Sequence, residues 1–177
     1  MNPLSFVSSL SPESVAAAVT LGLLLSVSCG LRAFLAPFVF SLGARMGWID
    51  IGPAFAWMGS DLAVATFGLA IAIELVADKV PAVDHAFDSL HLLLKPALAT
   101  LAGAALLQGP GGNPLLACVL GLCTTGALAG ITHVTKAGVR LGSSATTMGA
   151  GNPILSLTED AVAIGLTALV AWGAGHA

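Results

Sequence analysis

Long apolar runs that hold almost no charge are the feature that most constrains the fold of this chain. Charged residues make up 8% of the 177 residues and apolar residues make up 56%, whereas soluble domains carry about 25% charged residues. A soluble domain of this size keeps much of its surface in water and could not cover so much apolar surface. The chain is therefore predicted to be an integral membrane protein, with residues 1–177 forming a single transmembrane domain and no cleavable signal peptide.

Five runs are long enough to cross a bilayer, which takes about 20 mostly apolar residues. They are Glu13 to about Phe40, Asp61 to about Ala77, Leu90 to Leu107, Pro114 to about Val134 and Pro153 to Trp172. The sequence thus predicts an all-α polytopic bundle of about five transmembrane helices, with four or six as the alternatives.

Three segments do not fit a simple helix bundle. Residues 33–57 contain Gly and Pro, and residues 136–152 are rich in Gly, Ser and Thr. Irregular backbone at membrane depth is tolerated only where protein buries it or where it lines a cavity. Both segments are predicted to be either re-entrant or interfacial loops. Pro81 to Lys95 is predicted to form an interfacial amphipathic helix, whose polar Asp84, Asp88 and His91 either bind a metal or face solvent.

The positive residues predict an orientation. With five spans, Lys79, Lys95, Lys136 and Arg140 fall on one side of the membrane and Arg45 on the other. Positive residues are enriched on the cytoplasmic side. We therefore expect a multi-pass protein of the bacterial inner (cytoplasmic) membrane, with its amino terminus in the cytoplasm and its carboxy terminus outside.

Ionisable side chains inside or beside the spans are the candidate site, because charge in a bilayer is costly and usually serves a function. The predicted ion-binding or solute-binding residues are Arg32, Glu74, Asp78, Lys136, Arg140, Asn152, Glu159 and Asp160. Two structural alternatives remain open. The charges could be salt bridges that hold helices together, and Glu159 could close a capping box that begins at Ser156.

The glycine-rich segment Gly142–Asn152 adds a possible solute site, because small residues expose backbone N–H groups and the segment leads into a helix start. A short internal echo is also present. Gly30-Leu31-Arg32 recurs as Gly138-Val139-Arg140, and a membrane glutamate follows each copy. The echo suggests an inverted repeat of residues 14–80 and 114–173, an arrangement found in many transporters.

Several of these segments together resemble a known family. They are Gly30–Pro37, Glu74–Pro81 with Asp84 and Asp88, Lys136–Arg140, Gly151–Pro153 and Glu159–Asp160. They resemble a bacterial family of small membrane proteins known as domain-of-unknown-function family four-one-two-six. The resemblance implies a multi-span membrane protein and carries no established activity or site.

A second similarity concerns one segment only. Glu74 to Lys79 is similar to the Glu-x-Gly-Asp-Lys-Thr motif of a family of cation/proton exchangers. Here Asp78 follows Glu74 by four positions rather than three, the glycine is absent, and Val80 replaces the threonine. The similarity therefore implies no particular substrate.

Two hypotheses for function follow. The first is a homo-oligomeric channel or transporter for an ion or small polar solute, with proton or cation coupling through membrane glutamates. The second is a non-transporting subunit or assembly factor of a larger membrane complex. A cavity that reaches Glu74 or Glu159 would favour transport, and a solid bundle with every charge paired would favour the subunit.

No enzyme motif is present, so we expect no enzymatic activity and no cofactor. The net charge of −3 without a basic run gives no reason to expect a nucleic-acid partner. The partners expected are the lipid bilayer, further copies of the chain or a larger complex, and the transported ion or solute.

Overall fold

The computed structural model describes the backbone of residues 12–78, 81–108 and 112–174, and their side chains except at 12–15, 17–18 and 81–88. The predicted all-α class is confirmed, since the described residues form only helices and their connections. The elements in chain order are α1 (Pro12–Leu31), α2 (Leu35–Arg45), a 3-10 helix (Pro53–Gly59), α3 (Asp61–Ala77), α4 (Pro81–Leu107), α5 (Pro114–Gly121), a π-helical turn (Leu122–Gly126), α6 (Ala127–Thr147) and α7 (Asn152–Ala174).

Three helices are long and apolar enough to cross a membrane. They are Ser89–Leu107 within α4, the continuous helix Pro114–Thr147 formed by α5, the π-helical turn and α6, and α7 itself. A fourth candidate combines the 3-10 helix with α3, which meet at a bend of 66°. These helices support the membrane class. By length and composition they give three or up to four spans rather than the predicted five.

The predicted first span, Glu13 to about Phe40, is wrong as a single helix. It is divided into α1 and α2, and the chain between them, from Arg32 to Phe34, is not helical. Pro37 gives the physical reason, because it has no N–H to donate to the carbonyl of Ala33. In the first turn of α2 that missing N–H costs nothing.

Contacts show that the chain reverses direction at this break. α1 lies antiparallel to α7, since Leu21 packs at Gly173 near the end of α7 while the Ser28 hydroxyl donates to the Ala163 carbonyl at 3.2 Å. The end of α2 returns to Trp172, beside which Trp48 lines a shared apolar cavity. We call this end of the bundle the far end. The opposite end, where α1 and α3 finish and α7 begins, we call the charge end.

The segment 136–152 is also not re-entrant and is not a loop through most of its length. α6 continues to Thr147, so only Met148–Gly151 is non-helical. The hydroxyl of Thr147 donates back to the Ser143 carbonyl at 2.7 Å, which keeps this polar stretch compatible with a helix. The turn itself uses left-handed backbone at Met148 (φ 54°) and Gly149 (φ 85°).

The segment 33–57 is partly a regular helix, α2, and partly a cover over the far end. The Gly52 N–H donates to the Ala105 carbonyl at 2.8 Å, and the Ala54 N–H donates to Oε1 of Gln108 at 3.0 Å. A side chain at Gly52 would collide with Gln108. This close approach fixes the irregular chain against the end of α4.

The separate interfacial helix Pro81 to Lys95 is not observed. Its residues form the first half of α4, which runs unbroken through Pro96 to Leu107. Lys95 therefore lies in the middle of a 27-residue helix, and its side chain is fully buried. This location makes Lys95 part of the bundle interior rather than of a solvated face.

Candidate functional site

Six charged side chains meet at the charge end, and we call them the charge cluster: Arg32, Asp78, Lys136, Arg140, Glu159 and Asp160. Arg32 is placed by the break after α1, and Asp78 is the residue that ends α3. Lys136 and Arg140 are one turn apart on α6, so they project from the same face. Four separate elements thus contribute to one group.

Asp78 is the centre of the charge cluster. Its Oδ2 accepts hydrogen bonds from Nη2 of Arg32 at 2.7 Å and from Nη2 of Arg140 at 3.0 Å, while its Oδ1 lies 2.9 Å from Nη1 of Arg140. The Ser156 hydroxyl also donates to Oδ2 at 2.5 Å. The carboxylate, whose side chain is 5% exposed, therefore binds two arginines, one from the break after α1 and one from α6.

The two acids of α7 divide between the two arginines. Glu159 Oε2 lies 2.8 Å from Nη2 of Arg140 and 3.0 Å from Nζ of Lys136, whereas Asp160 pairs with Arg32. This division follows from the angle of about 100° between neighbouring residues on a helix. The capping-box alternative is wrong, because α7 begins at Asn152 and the Glu159 carboxylate binds cations of α6 instead of its own helix start.

Glu74 lies apart from the charge cluster and is bound by the backbone. Its Oε1 accepts from the Ala33 N–H at 2.8 Å and its Oε2 accepts from the Phe34 N–H at 3.1 Å. Nε2 of His91 lies 3.7 Å from Oε1, and the glutamate side chain is 2% exposed. Glu74 thus binds the N–H groups at the start of α2, where a negative charge is stabilised. The acidic partners of Arg32 are therefore Asp78 and Asp160 rather than Glu74.

Two lysines meet at the end of α1. Nζ of Lys95 and Nζ of Lys136 each donate to the Leu31 carbonyl at 3.3 Å. Carbonyls in the last turn of a helix lack partners within the helix and favour cations. The helix end and the two ammonium groups therefore stabilise one another inside the bundle.

Lys95 and two histidines form a second buried group, which we call the histidine–lysine group. Nζ of Lys95 lies 3.1 Å from Nδ1 of His133, and the rings of His91 and His133 meet edge-on with centroids 6.3 Å apart. The sequence alone predicted Lys95 to lie at a membrane surface. The sequence feature that indicates burial of Lys95 is its position within an apolar run, one turn after His91.

Asn152 is not brought into the charge cluster by any of these contacts. Its Nδ2 donates to the Ser144 hydroxyl at 2.9 Å, which ties the start of α7 back to α6. The proposed solute segment Gly142–Asn152 is thus mostly the last turns of α6 and a turn. The structure brings together the other predicted site residues in the charge cluster, with Glu74 beside them.

The metal alternative rested on Asp84, Asp88 and His91. The side chains of Asp84 and Asp88 lie outside the described residues, as does Lys79. Within the part of the chain that the structure describes, no group of three or more His, Cys, Asp or Glu side chains could hold a metal ion.

The buried charges balance across the site. Four acids face four bases: Glu74, Asp78, Glu159 and Asp160 against Arg32, Lys95, Lys136 and Arg140. Exposure is graded, from 16% at Asp160 and 12% at Glu159 to 2% at Glu74 and zero at Lys95. The most exposed charged side chains of the site are therefore those on α7, and the innermost ones, Glu74 and Lys95, are almost fully buried.

A bundle of apolar helices around a balanced, buried group of charges defines the class as a polytopic helical membrane protein. The particular family follows from comparison: residues 19–172 match the model of the family described as Domain of unknown function (DUF4126), and the chain belongs to that family. This confirms the resemblance that the sequence segments indicated. No curated protein and no solved structure matches the chain.

Proposed function

We propose that the protein is a small membrane transporter or channel for an ion or small polar solute, with proton or cation coupling through its membrane acids. The observation that carries the proposal is the contiguous, charge-balanced network of buried side chains. Buried ion pairs are weak contributors to stability, because desolvation offsets their attraction. Ionisable groups between transmembrane helices instead commonly mark ion and proton pathways.

The broken helix beside the network also supports transport. Arg32–Phe34 separates α1 from α2, and the N–H groups of Ala33 and Phe34 at the start of α2 bind Glu74. Discontinuous helices whose termini face ionised groups are a common construction of transporter sites. In this protein the carboxylate of Glu74, a group of the chain itself, lies at the helix start.

The geometry suggests how an ion would enter. Glu159 and Asp160 are the most exposed carboxylates of the charge cluster, and each is bound to a base that also binds Asp78. An entering cation could replace a guanidinium at Glu159 or Asp160 while Asp78 keeps that guanidinium paired. Exchange of partners would thus move charge inward without leaving any group alone.

The second candidate is a non-transporting subunit or assembly factor. Each acid of the charge cluster has a basic partner, and a described cavity lies elsewhere, in an apolar setting between Val39, Trp48 and Trp172 at the far end. By the criterion stated from the sequence, paired charges and a cavity that lies away from Glu74 and Glu159 count in favour of this second candidate. In that case the native membrane should contain the chain in a stable complex with other proteins, visible by native gel electrophoresis.

We further propose a bacterial inner-membrane location with the charge end facing the cytoplasm, because Lys136 and Arg140 lie there. The reversal at Arg32–Phe34 changes the expected side of the amino terminus. The start of α1 lies at the far end with the end of α7, so both would face outward. The chain would then make six passages, of which the 11-residue α2 is the shortest.

Cysteine labelling tests this orientation. Single cysteines at Met148, which is fully exposed at the charge end, and at Trp48 at the far end should label from opposite sides. The native Cys123 is exposed and should first be changed to serine. Labelling of both positions from one side would contradict the arrangement, and an amino-terminal tag should share the side of Trp48.

Flux measurements test the function. The purified chain is reconstituted into liposomes, and gradients of a panel of monovalent and divalent cations, anions and small polar solutes are imposed with and without a pH gradient. We expect at least one ion or solute to move faster than in protein-free liposomes. Equal leak across the whole panel would favour the subunit hypothesis.

A further inference from the structure

We propose that the coupling ion is a proton and that Glu74, paired with His91, is the group that binds it. The inference rests on the proposed function for its role in transport but not for the binding itself. Glu74 is the one acid of the site that lies outside the charge cluster. On one side it accepts from the Ala33 and Phe34 N–H groups, and on the other it faces Nε2 of His91 at 3.7 Å.

The ionisable groups around Glu74 come from several elements. α4 contributes His91, with Lys95 close to His91 and to Cys29, while α1 and the break after it contribute Cys29 and Arg32. His133 of α6 stands behind His91, and Asp78 lies one turn along α3. The side chains of 81–88 at the start of α4 are outside the described residues.

These surroundings favour a proton over a metal cation. Calcium and magnesium take about six or more oxygen ligands, whereas the described side chains and N–H groups that surround the Glu74 carboxylate are mainly nitrogen donors. Backbone N–H groups and a nearby ammonium would repel a metal ion. A proton needs only the Glu74 oxygen and the His91 nitrogen.

The 3.7 Å separation has a chemical meaning, since hydrogen bonds between nitrogen and oxygen are about 2.7–3.2 Å long. When the pair takes up a proton, an O–H bond forms at Glu74 and can donate to Nε2 of His91, so that the two atoms can close to hydrogen-bond distance. The pair gains one positive charge, and nothing is oxidised or reduced. Loss of the proton breaks that O–H bond and restores the separation.

Proton uptake by Glu74 would act on the helix break. A protonated oxygen becomes a donor and no longer accepts well from the Ala33 or Phe34 N–H, so the start of α2 loses part of its hold. Arg32 is the residue next to Ala33, and its guanidinium binds Asp78 and Asp160. The proton at Glu74 is thereby linked to the partners of Arg32 in the charge cluster.

A chain of contacts joins Glu74 to the exposed edge of the site. It passes from His91 to His133 by an edge-on ring contact, and then by polar contacts to Lys95, across the Leu31 carbonyl to Lys136, and finally to Glu159. Because Glu159 is 12% exposed, the chain ends where water can reach. The buried histidine–lysine group would thus connect Glu74 with the charge cluster.

Infrared difference spectroscopy tests the proposal directly. The full chain in liposomes is acidified without any added solute, and the carbonyl stretching band of a protonated carboxylic acid is followed. We expect the wild type to gain this band and Glu74→Gln to lose the part of its intensity that one carboxyl group contributes. The control Asp61→Asn, at the exposed far end, removes a carboxyl group outside the site and should leave the Glu74 contribution in place. A band unchanged by Glu74→Gln would overturn the proposal.

Two further variants separate binding from folding. Glu74→Asp retains a carboxyl group and should shift the frequency of the band rather than abolish it, even if Glu74→Gln folds poorly. His91→Gln should change the pH dependence of the band, a response that a glutamate with a purely structural role would not show. Identical titration of the band with and without His91 would contradict the pairing.

The outcome is distinguishable from failure of the proposed function. If the Glu74 band is present but no ion or solute crosses the liposomes, the proton site stands and the transport function is rejected. If flux is measured while acidification produces no band assignable to Glu74, transport stands and the proton site is rejected.

Discussion

Two arginine–aspartate pairs lie at opposite ends of this molecule and differ mainly in their surroundings. Nε of Arg45 is 2.6 Å from Oδ1 of Asp61, with side chains 54% and 86% exposed. Nη2 of Arg32 is 2.7 Å from Oδ2 of Asp78, with side chains 1% and 5% exposed. Water and salt screen the far-end pair, so either partner can be lost at little cost. Removal of one partner from the buried pair would strand a charge.

The comparison shows that the length of an ion pair says little about its role. In the exposed pair, Arg45 binds Asp61 alone among the described contacts of the two side chains. In the buried pair, Asp78 binds Arg140 and Ser156 in addition to Arg32. Burial and shared partners make the charge cluster a single unit.

Asp78→Asn should be strongly destabilising. The amide keeps the shape of the side chain but removes the charge that two arginines share, and loss of one partner from a buried ion pair costs about 3–5 kcal/mol. We expect a much lower melting temperature in detergent and a lower yield of monodisperse protein. Asp61→Asn is the matched control and should melt like the wild type. Equal effects of the two variants would break the comparison.

Gly30→Ala should be the next largest effect, and it tests whether packing holds α1 against α6 at the charge end. A Cβ at Gly30 would lie 2.8 Å from the Ala129 carbonyl and closer still to the Thr132 side chain. Overpacking of this kind costs about 1–3 kcal/mol. The equivalent glycine of the sequence echo, Gly138, has open space at its Cβ position.

Gly138→Ala is therefore the control for Gly30→Ala. Alanine is preferred over glycine inside a helix by about 1 kcal/mol, so this variant should melt at the wild-type temperature or slightly above it. Thermal unfolding of both variants in the same detergent provides the measurement. If Gly30→Ala were as stable as Gly138→Ala, α1 and α6 would not approach as closely as the structure shows.

The smallest effect is expected at the far end. Arg45→Gln removes the exposed ion pair, and the melting temperature should stay unchanged at both low and high salt because solvent already screens that charge. A clear loss of stability that disappears in high salt would show that the far-end pair contributes more than its exposure suggests.

Sequence reasoning reached the membrane class, the all-α fold and the family because these depend on composition and on runs of residues. One helix start is also readable from the sequence, because Asn before Pro is typical of the start of a helix. Asn113 caps α5 and Pro114 occupies the first position, as the side-chain hydrogen bonds to Leu115 and Leu116 confirm. The number of spans between Asp78, Arg140 and Glu159 also predicted that these residues lie at the same end of the bundle, as they do.

What sequence reasoning could not reach depends on tertiary contacts. The reversal after α1 depends on Glu74, which is distant in the sequence and binds the Ala33 and Phe34 N–H groups. The length of α6 was missed because Ser143 and Thr147 suggested a loop, although Thr147 bonds within the helix. The burial of Lys95 was missed because the residues that surround it lie on α1 and α6.

The central claim is that the buried acids serve ion movement rather than only fixing the fold. Paired measurement of liposome flux and melting temperature on Glu74→Gln and Glu159→Gln tests it most directly. Each amide keeps one accepting oxygen, so Gln at position 74 can still bind one of the two N–H groups of Ala33 and Phe34. After Glu159→Gln, Arg140 keeps Asp78 and Lys136 keeps the Leu31 carbonyl. Unlike Asp78→Asn, these variants should therefore fold, with a melting temperature somewhat below that of the wild type. We predict that both variants lose flux, while each still elutes as a monodisperse protein in detergent and shows a cooperative thermal unfolding transition. Wild-type flux in both variants, or loss of folding without a separate loss of flux, would contradict the claim and leave these charges as structural ion pairs.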